Sequence, residues 1–191
     1  MEGCTKKPDF PEYARRNDKA VLERVQARRG DKGLIPLDLA LLHAPKVADG
    51  WNAHLGAIRT RTSLPDAIRE IAICRVALIN KAWFEWRSHA PLLRQAEGFN
   101  DAKLEIVKQL HPTGQGELSD KEYAVLLFAD ESTRSVDVAD ATFARLATVG
   151  FSNQEIVEIT ATVATYNMVS RFLVALNVAE LNGKDDLVNV V

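Results

Sequence analysis

The stretch between Ser63 and Asn80 constrains the fold more than any other part of the chain. Ser63-Leu64-Pro65-Asp66 reads as a helix start, with a capping residue, an early proline and an acid in the first turn. The helix it opens is apolar on nearly every side as far as Ile79, and Asn80 is its stop. Such a helix has no face suited to water, so it belongs at the centre of a bundle with other helices laid around it. Glu70 falls inside this run. An unpaired buried charge is costly, so Glu70 needs a partner such as Arg69, Arg75 or His89.

The rest of the chain supplies helices to surround it. A charged segment, Glu12 to Arg29, reads as an exposed or partner-packed helix stopped by Gly30-Asp31-Lys32-Gly33. A short helix near Asp38 to His43 ends at Pro45, and the next, to Ile58, places Val47, Trp51, Leu55 and Ile58 at amphipathic spacing. Trp83 to Glu97 forms another, ended by Gly98, with Pro91 removing one backbone hydrogen bond just past His89. Asn100 or Asp101 caps a helix to Leu110. Ser119-x-x-Glu122 and Ser152-x-x-Glu155 are capping boxes, each preceded by an apolar staple residue, Leu118 or Phe151. They predict a helix pair over 119–131 and 136–148, then one long helix over 152–178. Strand-like alternation is absent throughout. The expected fold is all-α.

Composition narrows the class. The chain of 191 residues holds 24 basic and 26 acidic side chains, so no bulk charge favours nucleic acid or an anionic membrane. Two cysteines, Cys4 and Cys74, form neither a disulfide framework nor a metal-ligand spacing. No apolar run has the length of a membrane span, and Met1 is followed by polar and charged residues, so the expectation is a cytoplasmic protein. Residues 1–33 are expected as an arm and charged helix, and 34–191 as the helical domain.

The chemistry points to Trp83-Phe84-Glu85-Trp86-Arg87-Ser88-His89. Glu85 and His89 are four residues apart, about 40° around a helix axis, and so share a face. Such a pair can be a solvated helix-supporting contact. Trp83 and Trp86 flank the carboxylate, however, and can shield it from water. A desolvated carboxyl has a raised pKa, and a neighbouring histidine can exchange its proton near neutrality, as general acid–base chemistry requires. His54, three residues after Trp51, is a further candidate that can equally be a core or surface histidine. Glu70, Glu85 and His89 can be imagined on a metal, but the His-Glu-x-x-His, repeated Glu-x-x-His and Cys-x-x-Cys signatures are missing, and no metal is expected.

Three pieces carry a resemblance: Leu41-Leu42-His43-Ala44-Pro45, Leu64-Pro65 leading to Arg69-Glu70-Ile71-Ala72-Ile73, and Phe84-Glu85-Trp86-Arg87-Ser88-His89-Ala90. From Leu37 to about Gly98 the chain resembles the carboxymuconolactone decarboxylase family, within the alkyl hydroperoxidase D-like superfamily. The peroxidase branch of that superfamily carries a glutamate, a Cys-x-x-Cys pair and a histidine. Glu70 and His89 match the glutamate and histidine, while Ala82 and Glu85 stand where the cysteines would be. Without those thiols, disulfide-based peroxide reduction cannot run.

The resemblance therefore implies the decarboxylase-like branch: a lyase removing carbon dioxide from a small carboxylated lactone with no cofactor. It implies His89 as acid or oxyanion donor, Glu85 setting its proton state, and Glu70 as relay or orienting group. Trp86, Trp83, Arg75 and His54 are the expected substrate-binding residues, with Arg75 holding a substrate carboxylate. Family members are oligomers, so a homo-oligomer (dimer, trimer or hexamer) is expected, with neither nucleic acid nor membrane as partner. Hydrolysis or isomerisation of a different lactone by the same residues is a second reading, and a non-catalytic helical binding module a third. The second half looks like a degenerate repeat without any Glu-x-x-x-His. Its Tyr166, Asn167 and Arg171 can line a pocket or serve as core and interface.

Overall fold

The computed structural model describes residues 18–189, and among these it holds nine α-helices, three short 3-10 helices and no strand. The arm expected over 1–11, the start of the charged helix and Cys4 lie outside the described residues. No helix among those described is long and apolar enough to cross a membrane. Two compact units divide the chain, one from the residues up to Arg61 with Leu176–Glu180, the other from Thr62–Ala175 with the residues from Leu181 onward.

The first unit contains α1 (Lys19–Arg29), α2 (Pro36–Leu41) and α3 (Pro45–Thr60). Val25 is the one residue of α1 that is buried, as its sparse apolar pattern requires. On α3 the inward stripe is Ala48, Trp51, Leu55 and Ile58. Val47, placed in that stripe by spacing alone, is exposed. Ala48, three residues before Trp51, is buried in its place. Asp38 is buried and accepts two hydrogen bonds of 2.7 Å from Arg29 and one of 3.0 Å from the Ile35 backbone N–H.

The second unit is built on α4 (Asp66–Ile79), which packs against α5 (Trp83–Arg94), α7 (Asp120–Ser135) and α9 (Asn153–Ala175). Ile71, Ala72, Ile73, Cys74, Val76 and Ala77 are wholly removed from water, and each large apolar side chain so buried contributes roughly 2 kcal/mol. The central position read from the sequence is therefore the real one. Helix α4 ends in a tight reversal: Ala82 N–H reaches Ala77 O at 2.8 Å while Lys81 adopts a left-handed φ of 51°. That six-to-one hydrogen bond is the Schellman closure, and it launches α5 immediately.

Both capping boxes form. Ser119 and Glu122 exchange backbone hydrogen bonds of 3.3 and 2.7 Å, and Ser152 and Glu155 do so at 3.2 and 2.7 Å. Helix α8 spans Asp140–Thr148, four residues later than expected, because Val136 turns into a left-handed conformation after α7. Ser63 does not cap α4. Its backbone N–H and hydroxyl both donate to Glu158 on α9, at 2.9 and 2.7 Å, tying the entry of the central helix to the long one. Helix α6 (Asp101–Val107) stops short of Leu110, and the reason is Arg75, whose guanidinium takes the carbonyls of Val107, Gln109 and Leu110. Those carbonyls are the unpaired acceptors of a helix end.

Candidate active site

Three helices of the second unit converge on one buried polar cluster. Helix α4 contributes Glu70 and Cys74, one turn apart on its apolar face. Helix α5 contributes Glu85, Trp86 and His89, and α9 contributes Tyr166 and Ser170, again one turn apart. All are nearly sealed: Glu70 is 2 % exposed, Glu85 3 %, His89 4 %, Tyr166 2 % and Trp86 0 %.

His89 is held at both ring nitrogens. Nδ1 lies 2.6 Å from Glu70 Oε2, and Nε2 lies 3.3 Å from the Tyr166 hydroxyl. A carboxylate can only accept, so Nδ1 carries the proton and Nε2 accepts from the phenol. The tyrosine ring meets the imidazole edge-on, with centroids 5.1 Å apart and an interplanar angle of 84°. The other oxygen of Glu70 faces Arg69 Nε at 3.7 Å, an ion pair whose Nε–H is buried and makes no hydrogen bond. Glu70 therefore lies between a cation on one side and a ring N–H on the other.

Glu85 is placed differently. Its two carboxyl oxygens sit 3.3 and 3.2 Å from Ser170 Oγ. Burial pushes its pKa well above the ordinary carboxylate value, the Ser170 hydrogen bond lowers it, and the charge on Glu70 raises it further. Burial thus favours the neutral acid at Glu85. Cys74 lies near both. Burial first, then the charges of Glu70 and Glu85, push its thiol pKa well up, so it remains an unreactive thiol.

The raised pKa of Glu85 makes a stability prediction with a definite sign. When folding raises an acid's pKa, the folded state binds more protons than the unfolded one between the two values, so stability falls as pH rises through that window. The decline begins at the ordinary value of 4.5 and runs at about 1.4 kcal/mol per pH unit until the buried acid ionises. Glu85→Gln is expected to remove this slope, so that its melting temperature overtakes that of the parent as pH rises above 5. Parallel melts from pH 4 to 8 check it, and parallel curves for the two proteins would refute it.

The structure brings together three of the residues picked from sequence, Glu70, Glu85 and His89, with Trp86 beside them on α5. Of the two carboxylates, the one in contact with the His89 ring is Glu70, while Glu85 meets Ser170. Trp86 Nε1 is buried and makes no hydrogen bond, a donor that a ligand oxygen would satisfy. Trp83 is buried too, but its Nε1 is engaged by Asp185 at 3.1 Å. Arg75 is not in the cluster: its N–H groups all go to Asp130 and to the Val107, Gln109 and Leu110 carbonyls, leaving none for a substrate carboxylate. His54 lies on α3, in the first unit, and is exposed.

Ser170 is the residue of the cluster that sequence reasoning missed, and Tyr166 the one it left between pocket and core. The signal was present in the 3.6-residue period: Ile159, Val163, Tyr166 and Ser170 run down one side of α9, and a serine ending an otherwise apolar stripe marks a polar partner across the interface. Among the described residues no group of three or more histidine, cysteine, aspartate or glutamate side chains is arranged to hold a metal ion.

Residues 45–131 match the model of the carboxymuconolactone decarboxylase family. No curated protein matches the chain. Among solved structures, a peroxidase-related protein of Ralstonia eutropha JMP134, described as an alkylhydroperoxidase AhpD core, is similar over 93 % of each chain, with 20 % identity and a TM-score of 0.71. A peroxidase-related protein of Silicibacter sp. TM1040 is similar over 95 % of this chain and 96 % of its own, at 21 % identity and a TM-score of 0.72. The debrominase Bmp8, a cysteine-to-alanine variant in complex with 2,3,4-tribromopyrrole, covers 100 % of this chain and 97 % of its own at 14 % identity, with a TM-score of 0.72. These structures share the all-helical, AhpD-like fold.

Proposed function

We propose that this chain is a cofactor-independent lyase that removes carbon dioxide from a small carboxylated lactone by proton transfer. The observation that supports the reading best is the state of His89, a buried imidazole whose proton is fixed on Nδ1 by Glu70 and whose Nε2 is open to proton exchange with its other neighbour. The match of residues 45–131 to the decarboxylase family supports the substrate class. Ala82 and Glu85, at the positions of the peroxidase cysteines, leave proton chemistry as the work of the cluster.

The reaction suits the residues present. When the bond to the carboxylate breaks, its electron pair can delocalise through the ring alkene into the lactone carbonyl, so the substrate supplies its own electron sink. The protein must then stabilise a dienolate oxygen and return one proton to carbon. Glu85, kept neutral, and Trp86 Nε1 are the donors suited to that oxygen. The Glu70–His89 pair is the proton reservoir. Water exclusion strengthens each of these interactions, because the cluster sits in a low-dielectric interior.

The test is carbon dioxide release from a panel of carboxylated butenolides. Wild-type protein is expected to turn over at least one of them, and His89→Gln, verified as folded, to lose about 10²–10⁴-fold in kcat. Turnover without carbon dioxide would replace decarboxylation by hydrolysis or isomerisation at the same residues. Undiminished activity in His89→Gln would remove the histidine from the chemistry.

A further inference from the structure

We propose that Tyr166 delivers the proton to the substrate, as the last link of a Glu70–His89–Tyr166 relay, so that the second half of the chain supplies the acid of the reaction. The proposal rests on the reading of the site as a proton-transfer centre. Its starting point is that both nitrogens of His89 already face protein groups, Nδ1 at 2.6 Å from Glu70 and Nε2 at 3.3 Å from the Tyr166 hydroxyl. An imidazole engaged at both ends passes its proton to the neighbour it touches. A phenol oxygen can accept from Nε2 while donating its own proton onward.

The proton accounting closes. The cycle starts once a proton from solvent has charged His89: Nδ1–H stays directed to Glu70, and Nε2, which accepts from the phenol in the neutral ring, now carries a proton directed to the Tyr166 oxygen. Decarboxylation breaks the carbon–carbon bond, carbon dioxide departs and the electron pair resides on the dienolate. The Tyr166 proton passes to the dienolate carbon, the Nε2 proton passes to the phenolic oxygen, and His89 is left neutral with Nδ1–H still on Glu70. Protonation of Nε2 from solvent after product release restores the starting state. Tyrosine never carries a full negative charge, because the two transfers are concerted along one hydrogen-bonded line. Its burial and its edge-on contact with the imidazole keep that line fixed.

Tyr166→Phe tests this, since it deletes one hydroxyl and preserves the ring. With any butenolide that the wild-type protein decarboxylates, the variant is expected to lose at least about 100-fold in kcat with KM little changed. The Tyr166→Phe/His89→Gln double variant is expected to be no slower than the worse single one, because links of one relay fail together. Wild-type kcat in Tyr166→Phe would overturn the relay and leave the decarboxylase reading intact. If wild-type protein decarboxylates none of the panel, that reading fails and the relay is judged without a substrate, by ¹⁵N NMR of the His89 ring. A displaced Nε2 resonance in Tyr166→Phe, with Nδ1 still protonated and an unchanged melting temperature, supports the Tyr166–His89 link, and an unchanged Nε2 resonance overturns it.

Discussion

Glu70→Gln is expected to lower kcat by about 10³-fold or more while leaving the protein folded, an effect larger than loss of a single hydrogen bond suggests. The reason is tautomeric. Glu70 accepts the Nδ1 proton of His89, and that choice leaves Nε2 as the nitrogen that exchanges protons. Glutamine keeps the shape, but its amide N–H₂ can donate to Nδ1 and drive the ring proton to Nε2. The imidazole is then locked in the wrong form at no cost in packing. Glutamine also removes the charge that stabilises an imidazolium, so the charged relay becomes harder to reach. Steady-state kinetics with the butenolide that gives carbon dioxide, together with ¹⁵N shifts of the His89 ring, would read both effects. Normal kcat in a protein with an altered tautomer would show that the Glu70–His89 geometry is unrelated to turnover.

Arg75→Ala is expected to destabilise the protein by about 3–5 kcal/mol, lowering its melting temperature by roughly 10 °C. Arg75 is fully buried and reaches Asp130 through Nε and Nη2, with the Nε contact at 2.7 Å. It also donates at 2.9 Å to Val107 O and at 3.0 Å to Leu110 O. Alanine would take this donor from the Val107 and Gln109 carbonyls, leave Asp130 and the Leu110 carbonyl to Arg134, and open a cavity the length of the side chain. Arg75→Lys is expected to fall between the two, since an ammonium keeps the charge but lacks the planar fork. Calorimetry gives the size of the loss, and hydrogen exchange is expected to localise it to residues 107–110. A melting temperature within 2 °C of the parent would mean that water can replace the whole set of contacts.

Much of this architecture was legible in the linear sequence because helix signals are local. The boxes at Ser119–Glu122 and Ser152–Glu155 announce the starts of α7 and α9 to within a residue, and the all-round apolar pattern of α4 announces its central place. What failed locally failed for a tertiary reason. Helix α6 is shorter than its pattern because Arg75, more than thirty residues earlier, competes for its last carbonyls, and Ser63 looks like a cap but bonds to Glu158 of α9. The site shows the same division. Glu70, Glu85 and His89 stand out by burial and spacing, yet which carboxylate meets the imidazole depends on how α4 and α5 pack. Four residues along a helix suggested Glu85, and the contact across the interface belongs to Glu70. Ser170 was hidden because a lone serine carries meaning only once its partner across the bundle is known.

The pairing of α5 with α9 has a consequence for which changes the chain can tolerate. Glu85 meets Ser170 and His89 meets Tyr166: as numbering rises by one turn on α5 it falls by one turn on α9, so the helices match like two scales of a slide rule. The zero of the α9 scale is set at its start, where Ser152 and Glu155 fix the first turn and Glu158 is pinned to the entry of α4. From that cap to Tyr166 is roughly 20 Å of helix, and one residue gained or lost within it would rotate Tyr166 and Ser170 by about 100° away from His89 and Glu85. The length of this span is therefore a specification in its own right. Side chains along its outer face can drift freely, while its residue count is held as tightly as the acids themselves.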